Sequence, residues 1–330
     1  MPATDLDKFL HGSALLSNAD TAFLRVTGAD ATRWLNGMVT NSVKDLVPGE
    51  GCYSFLLNAQ GRIQGDAYIY RENGEGNPTF LLRTTHAQRS TLATWLDRYI
   101  IMDDVELTPA FDAKAEADAF ATLSLVGATA AERLINLDIA APKSGSYLNT
   151  SFDGGELTLF APAQPLPTFE IAGPSQCLAR LAETLEGSGV ARATANEAEA
   201  LRLWLGVPRF GMDIHDRDLP QETGRSEALH FNKGCYLGQE IVERIRSQGQ
   251  VRRLLTPLIL TGALPSLPST LTSDGKAVGE LTSAAEVLVD GKQSLVALGY
   301  VRREALDRQQ PLLYEGGAAA GGGAAAPRRL

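Results

Sequence analysis

Residues 26–66, VTGADATRWLNGMVTNSVKDLVPGEGCYSFLLNAQGRIQGD, carry the pattern that decides the fold of the amino-terminal part of the chain. They predict the end of a strand and then a helix that begins at Asp30, a good N-cap residue. Trp34, Leu35 and Met38 follow at helical spacing. Two alternating apolar runs come next, joined by Ala59-Gln60-Gly61, which is the pattern of a β-hairpin. The segment therefore predicts a sheet with a helix packed on it.

The same periodicities divide the remainder of the chain. A third strand and a helix at 86–99 continue the first unit, and residues 111–119 are poor in large apolar side chains, which indicates a linker. Strands and helices alternate again over about 120–190, as in a smaller layered unit. From Val251, short strands separated by Gly and Pro turns predict a β-barrel or sandwich. The final stretch, EGGAAAGGGAAAPRRL, predicts a disordered tail.

Composition restricts the class of protein. The chain has 330 residues, which favours two or three domains, and its formal net charge is -9. A net negative charge argues against broad binding to nucleic acid or to anionic membranes. The sequence shows neither a secretory leader nor a long apolar run. We therefore expect a soluble, cytoplasmic protein that binds neither membrane nor nucleic acid directly.

The three cysteines, Cys52, Cys177 and Cys235, are an odd number at long spacings. This pattern offers no disulfide framework and no CxxC site. The four histidines are scattered, without the short spacing typical of a metal site. We therefore expect no stably bound metal.

The stretch KGCYLGQE at residues 233–240 places Cys235 between two glycines, which is unusual for a core cysteine. Gly238 is placed to open a helix whose first turn holds Gln239 and Glu240. A thiol just before a helix start, with Lys233 near it, is favoured in its ionised form. The alternative is a tight turn that anchors the helix, with Cys235 as a small filler.

Polar residues at two other places have two interpretations each. Asp66 lies mid-strand among apolar neighbours, so it faces either solvent or a ligand. Arginines cluster after the cysteine, at 244, 246, 252 and 253. They form either a solvated helix end or a binding place for carboxylates or phosphates.

KGCYLGQE resembles the signature of the YgfZ family, the folate-binding relatives of the glycine-cleavage T protein, which also include a mitochondrial iron-sulfur assembly factor. Residues 26–66 are similar to the start of the folate-binding domain across that superfamily. RLWLGVPRFGMDI and LPQET, within 202–223, are similar to the segment that precedes the cysteine motif.

The resemblance implies an α+β protein with a T-protein-like folate-binding domain, an inserted ferredoxin-like domain and a carboxyl-terminal β-barrel. The boundaries expected from it and from the periodicity are grouped as follows: 1–115 with 193–250 for the folate-binding domain, 116–192 for the ferredoxin-like domain, 251–314 for the barrel and 315–330 for the tail.

The resemblance also implies a tetrahydrofolate in a central opening and a working thiol at Cys235. The motif residues carried over are Lys233, Gly234, Cys235, Tyr236, Gly238, Gln239 and Glu240. The folate contacts expected are Asp66, Arg202, Trp204, Arg252 and Arg253, the last two near the glutamate tail. Family members act in the assembly or repair of iron-sulfur clusters in client proteins, including enzymes that modify tRNA, so such clients and reduced folate are the expected partners.

Two positions depart from the T protein. Where that protein has a pair of aspartates this chain has Gly65-Asp66, and where it has a glutamate this chain has Trp204. The leading hypothesis is thus a folate-dependent accessory factor for iron-sulfur proteins. The alternatives are an aminomethyl or other one-carbon transferase, and a protein-binding module that has lost its ligand.

Overall fold

The computed structural model describes residues 3–18, 20–74, 76–111 and 120–321, and in these residues it contains eight α-helices and eighteen β-strands. The helices are α1 (Asp7–Leu10), α2 (Ala31–Met38), α3 (His86–Asp97), α4 (Ala130–Ile135), α5 (Ser175–Gly187), α6 (Ala195–Trp204), α7 (Gln239–Gln248) and α8 (Arg303–Asp307). The strands before α6 are β1 (Thr4–Asp5), β2 (Ala14–Ser17), β3 (Thr21–Thr27), β4 (Gly51–Leu57), β5 (Ile63–Arg71), β6 (Phe80–Thr85), β7 (Glu106–Ala110), β8 (Phe120–Val126), β9 (Ser146–Phe152), β10 (Gly155–Ala161), β11 (Thr168–Pro174) and β12 (Ala191–Arg192). Those after α7 are β13 (Arg253–Gly262), β14 (Ser269–Ser273), β15 (Lys276–Val289), β16 (Lys292–Arg302), β17 (Leu312–Tyr314) and β18 (Gly317–Gly321).

The first sheet is antiparallel, with strand order β4-β5-β6-β3-β7. Helices α2 and α3 cover one face, where Trp34, Leu35, Leu92 and Leu96 pack on the apolar side chains of β5 and β6. The hairpin and the helix that follow from residues 26–66 thus form where the sequence predicts them. The predicted linker at 111–119 lies almost wholly outside the described residues.

The second sheet has strand order β12-β2-β8-β11-β10-β9, with α4 and α5 packed on it. Strand β9, SYLNTSF, was not expected from the sequence, because polar residues occupy much of it and its alternation is weak. It is an edge strand whose ladder partner is β10, so most of its side chains need no apolar partner.

The third sheet closes into a six-stranded barrel, because β15 pairs with both β14 and β16. Leu258, Leu271, Leu281 and Val301 fill its interior. The α+β class with a carboxyl-terminal barrel is therefore confirmed.

Strand pairing departs from the expected boundaries at the amino terminus. Strand β1 pairs in parallel with β15 of the barrel, and β2 pairs with β8 of the second sheet. Residues 4–17 are thus shared between the other two sheets, because each offers an edge whose backbone groups need partners. We propose the same three units with this amino-terminal segment as a strap across them.

The expected tail at 315–330 also differs from the structure. Residues Gly317–Gly321 form β18, which pairs with β17 and β13, and Ala319 is buried. Backbone hydrogen bonds on both sides form this strand without large side chains, which is why composition did not reveal it. Residues 322–330 lie outside the described part of the chain.

The three sheets meet in a central apolar cluster that includes Phe9, Phe55, Leu203, Tyr236 and Tyr300. A second cluster, rich in Phe and Tyr, joins the first two sheets; Tyr70 and Phe160 lie 4.9 Å apart there, centroid to centroid. In the part of the chain that the structure describes, no helix has the length and apolar character needed to cross a membrane.

The irregular segment between α6 and α7 is fixed by a fully buried acid, Asp218. Its carboxylate accepts hydrogen bonds from the Tyr300 hydroxyl at 2.9 Å and from Arg253 at 2.6 Å, both from the barrel. Its carbonyl oxygen accepts from the Ile63 N–H of β5 at 3.1 Å. One residue thus joins this segment to the barrel and to the first sheet.

Candidate functional site

The motif at 233–240 forms the turn into α7, and this turn packs backbone to backbone on the β4–β5 hairpin. Gly238 precedes the helix with a φ of 80°, in the left-handed region that favours glycine. A Cβ there would lie 2.5 Å from the Asn58 carbonyl oxygen. Across the contact, a Cβ on Gly61 would lie 2.8 Å from the Ile241 Cβ. Only glycine at both places allows this approach.

Neighbouring residues fix the same turn. The Leu237 N–H donates to the Gly37 carbonyl at 2.9 Å, and the Tyr236 N–H donates to Gln239 Oε1 at 3.1 Å. The Tyr236 ring is buried in the central cluster, and burial raises the pKa of its hydroxyl. Glu240 is exposed in the first turn of α7, where a carboxylate suits the helix dipole. The turn therefore does anchor the helix, as one hypothesis held.

Cys235 is nevertheless exposed, whereas Cys52 is half-buried and Cys177 is buried. The residue before it, Gly234, has a φ of 95°, and apart from its chain neighbours no described atom lies within 4 Å of where its Cβ would be. The Cys235 thiol therefore lies on the surface. This placement suits reaction or contact with a partner and does not suit a filler.

Lys233 is directed away from the role that the sequence indicated. It is 3% exposed, and its Nζ donates to the carbonyls of Val39 at 2.6 Å and Asn41 at 2.5 Å. Burial lowers the pKa of its amine to about 7. Burial likewise raises the pKa of the Cys52 thiol to about 12. The Lys233 amine is therefore bonded to these two carbonyls, and this arrangement gives no support to its expected role beside the Cys235 thiol.

A cavity of about 570 Å³ lies where the first sheet, the second sheet and α6 meet. This volume is within the range of small-molecule sites. The barrel contributes no lining residue among those described. The polar side chains that line it include Tyr53, Asp66, Gln88, Glu199, Arg202 and Arg225.

Asp66 lies in this cavity and is held from two sides. The Tyr53 hydroxyl donates to Oδ2 at 2.6 Å, and the Gln88 amide donates to Oδ1 at 3.0 Å. The Asp66 N–H donates in turn to Gln88 Oε1 at 3.1 Å. Burial, and next the charge of Asp66, raise the pKa of the Tyr53 hydroxyl well above its ordinary value. The carboxylate is thus a fixed hydrogen-bond acceptor on the cavity wall, held by two protein side chains.

Gly65 faces the opposite side of β5, toward α3. A Cβ there would lie 2.7 Å from Leu92 Cδ2 and 2.9 Å from Gln88 Oε1. A carboxylate at this position would displace the side chain that holds Asp66 and would point into the helix-covered core. The cavity therefore has one acid at this strand and no room for its neighbour.

Arg202 lines the cavity, but each of its five N–H groups has a protein acceptor. The acceptors are both Glu199 oxygens, the Val207 carbonyl, Asp213 Oδ2 and Ser283 Oγ, at 2.5–3.3 Å. Ser283 belongs to β15 of the barrel. Arg202 thus ties α6 to the barrel, and this arrangement gives no support to the expected folate contact.

Trp204 does not line the cavity. The face of α6 that does so carries Ala195, Ala198, Glu199 and Arg202, and Trp204 lies off this face. It is partly buried against the central cluster. The expected folate contact of Trp204 is therefore not supported, because helical geometry turns the ring toward the central cluster.

Arg252 and Arg253 are also absent from the cavity lining. Arg252 is exposed, whereas Arg253 pairs with Asp218 and Glu222 and lies 4.2 Å from the Tyr300 ring centroid. Arg246 stacks on Phe231 at 4.5 Å. The structure therefore does not bring these bases to Asp66.

Three cavity residues were missed by sequence reasoning: Tyr53, Gln88 and Arg225. Gln88 has the spacing of a capping box with Thr85, which accepts a hydrogen bond from the Gln88 N–H, but its side chain turns to Asp66. The Arg225 guanidinium lies 4.4 Å from the Tyr53 ring centroid and pairs with Glu227. The capping-box spacing is a signal for Gln88 in the sequence. Nothing in the linear sequence indicates Tyr53 or Arg225.

The thiol and the cavity are separate places, because Cys235 is not among the lining residues. One group of metal-ligand side chains comes together within the described ranges, Asp7, His11 and Asp290, whose ligand atoms lie within 4.8 Å of one another. His11 pairs with Asp290 at 2.8 Å on the surface. This arrangement is a solvent-exposed hydrogen bond.

Comparison with known proteins gives a match to one family model over part of the chain, and one fold. Residues 11–156 match the model described as the GCVT N-terminal domain. An aminomethyltransferase of Xanthomonas axonopodis pv. citri is 28% identical over 268 residues, covering 78% of this chain and 69% of the relative. The tRNA-modifying protein YgfZ of Escherichia coli is 26% identical over 259 residues, covering 77% and 73%.

A mitochondrial relative and a solved structure are also similar to this chain. The mitochondrial iron-sulfur cluster assembly factor IBA57 homolog of Pyricularia oryzae is 27% identical over 243 residues, which cover 72% of this chain and 55% of the relative. The crystal structure of glycine cleavage system aminomethyltransferase T from Bartonella henselae superposes with a TM-score of 0.81, at 19% identity, over 96% of this chain and 87% of that one. At this identity the structural likeness shows the shared fold.

The two motif glycines allow a paired test. Gly234→Ala places a side chain in open space at a positive φ, so it should lower the unfolding free energy by about 1–2 kcal/mol. Gly238→Ala adds a collision with the Asn58 carbonyl and should cost about 2–5 kcal/mol. Urea unfolding of both variants measures the difference. Equal losses would show that the close approach to the hairpin contributes nothing.

The buried amine of Lys233 predicts a pH dependence. The unfolded chain keeps this proton up to a pKa of about 10.4, whereas the folded chain releases it near 7. Between these values the unfolded state binds more protons, so the contribution of Lys233 to the unfolding free energy rises with pH. The unfolding free energy of wild type minus that of Lys233→Met should rise by up to about 1.4 kcal/mol per pH unit above pH 7. Urea unfolding from about pH 6 to 8.5 measures it, and a constant difference would contradict the prediction.

Proposed function

Because this chain is a YgfZ-type member of the glycine-cleavage T-protein superfamily, we propose that it is a folate-binding accessory factor for iron-sulfur proteins. Its task is the assembly or repair of clusters in client proteins, including enzymes that modify tRNA. The observation that carries the proposal is the exposed Cys235 on a turn that two glycines and a buried lysine hold in place.

The exposed thiol supports the contact with clients. Thiolate sulfur is the ordinary ligand of iron-sulfur clusters. Cys52 and Cys177 are withdrawn from the surface, so Cys235 offers a single ligand. A cluster that meets this thiol is cargo, and its remaining ligands come from the client.

The cavity supports the folate. Its volume of about 570 Å³ suits a small molecule, and aromatic side chains of Tyr53, Tyr68 and Phe210 form apolar walls. A pterin presents N–H groups on one edge, and the Asp66 oxygens retain acceptor capacity beyond their bonds to Tyr53 and Gln88. When bound, tetrahydrofolate would supply a carrier of one-carbon units, while Asp66 and Gln88 would orient the ring.

The Cys235 motif and the single acid at Asp66 argue against the alternative function, that of an aminomethyltransferase. The T-protein reaction needs a carboxylate and no thiol, and this chain places Gly65 and Trp204 where that enzyme has acids. Here Gly65 has no space for one and Trp204 faces the core. Turnover of an aminomethylated lipoyl carrier protein with tetrahydrofolate would reverse this ranking.

We also propose a cytoplasmic location and partners limited to reduced folate and client proteins. The three cysteines are free, as is usual in a reducing compartment. The formal net charge of -9 disfavours direct binding to nucleic acid or to an anionic membrane.

Tetrahydrofolate binding is tested by thermal unfolding. At a concentration about 100 times the dissociation constant, one-site binding adds roughly 2.7 kcal/mol to the stability. Asp66→Asn should weaken binding by about 1.5–3 kcal/mol, because the acceptor loses its charge. Asp307→Asn, an exposed change on the barrel side, is the control and should bind as wild type does. A melting temperature unmoved by millimolar ligand would exclude a functional pocket.

The thiol is tested by Cys235→Ser in cells that lack the native factor. The exposed exchange should change the unfolding free energy by less than about 0.5 kcal/mol and leave folate binding intact. It should abolish support of an iron-sulfur tRNA-modifying enzyme, measured as the modified base in tRNA. Cys52→Ala is the control that keeps the surface thiol. Full rescue by Cys235→Ser would reduce the motif to a helix-anchoring turn.

A further inference from the structure

One stretch of chain, residues 225–235, runs from the cavity to the surface thiol. At its first end the Arg225 guanidinium stacks on Tyr53, whose hydroxyl donates to Asp66 at 2.6 Å. At its last end Cys235 is exposed. We call this stretch the connecting segment.

The connecting segment is bound along its length to residues 39–41. The Asn41 side-chain amide donates to the Glu227 carbonyl at 2.8 Å, and Thr40 Oγ1 donates to the Ala228 carbonyl at 2.6 Å. The His230 N–H donates to the Thr40 carbonyl at 3.1 Å.

Lys233 makes the last of these contacts with residues 39–41, two positions before Cys235. Its Nζ donates to the Val39 and Asn41 carbonyls at 2.6 and 2.5 Å. A neutral amine keeps two N–H donors, so both bonds survive loss of the proton. Gly234, which follows, meets nothing within 4 Å of its Cβ position. The position of the turn on this side of Cys235 therefore depends on Lys233.

Residues 39–41 are joined in turn to the cavity wall. The same Asn41 amide that binds Glu227 donates to the Tyr53 carbonyl at 3.0 Å. Thr40 Oγ1 accepts from the Phe55 N–H at 2.9 Å. The two series of contacts, one through Tyr53 and one through Arg225, thus meet at residues 39–41, which also bind Lys233.

We propose that Lys233 is a positioning residue that fixes Cys235 and links it, through the connecting segment, to the state of the cavity. The link rests on the proposed function only for the identity of the ligand, because Arg225 and Tyr53 belong to the cavity whatever occupies it. A change at the cavity end shifts the connecting segment, and through Lys233 this shift changes the position of the Cys235 thiol.

The test follows alkylation of Cys235 by iodoacetamide in the full chain, with peptide mapping that also reports Cys177. Lys233→Met should change the Cys235 rate about fivefold or more, the size of an ordinary coupling. Lys233→Arg, which keeps donors, should restore most of the wild-type rate. Lys276→Met, an exposed loss of the same charge on the barrel, should leave the Cys235 rate unchanged. A parallel rise in the alkylation rate of the buried Cys177 would indicate global unfolding of Lys233→Met. In that case the Cys235 rate of Lys233→Arg is the measurement that decides the proposal.

The link itself is measured by a double-mutant cycle. Arg225→Met should change the Cys235 rate in the wild-type background and not in the Lys233→Met background. Tetrahydrofolate should slow alkylation of wild type and leave Lys233→Met unaffected, although both variants gain heat stability from it.

The outcomes separate the two proposals. Absence of any thermal shift with tetrahydrofolate refutes the folate assignment and leaves the cycle with Arg225→Met to judge the link. Additive effects in that cycle overturn the link even if folate binds. A Lys233→Met protein whose Cys235 reacts as in wild type overturns the anchor.

Discussion

The contact between Gly61 and Gly238 is the constraint on which the site depends. It lets the β4–β5 hairpin and the start of α7 approach until a single added carbon on either would collide with the other. Val242 can then enter the central cluster, and the turn that carries Cys235 is held against the first sheet. A looser approach would weaken the packing of α7, in which Val242 is the one buried residue among those described.

Buried acids perform the corresponding task for the irregular segment before α7. Asp213 and Asp218 are fully buried, and each accepts hydrogen bonds from the barrel. Removing one partner of such a group leaves an uncompensated charge, which is far more costly than loss of a surface pair. The segment therefore has a defined path although it has almost no regular secondary structure.

Much of the fold could be predicted from the sequence, because α2, the hairpin and the barrel strands are local patterns of apolar spacing. The placement of residues 4–17 and of β18 could not, since short or Gly/Ala strands form through backbone bonds to distant edges. The site was predictable in part. Asp66 lies in the cavity, but the spacing of α6 would have turned Trp204 away from the face of Glu199 and Arg202.

The role of Lys233 shows the other limit. Its carbonyl partners lie more than 190 residues away in sequence, at Val39 and Asn41. Proximity along the chain made it a neighbour of Cys235, while folding buried its amine elsewhere. Likewise Arg253 is basic and close to the motif in sequence, yet Asp218 and Glu222 bind it. The linear sequence does not show the direction in which a side chain points in the folded protein.

The packing at Gly65 also constrains how the sequence can evolve. An acid there would push on Leu92 and on the Gln88 side chain that orients Asp66, so the substitution harms the existing site before any second acid can serve. A descendant could acquire paired carboxylates only after position 88 or 92 had changed first. Among relatives, residues 65, 88 and 92 should therefore vary together.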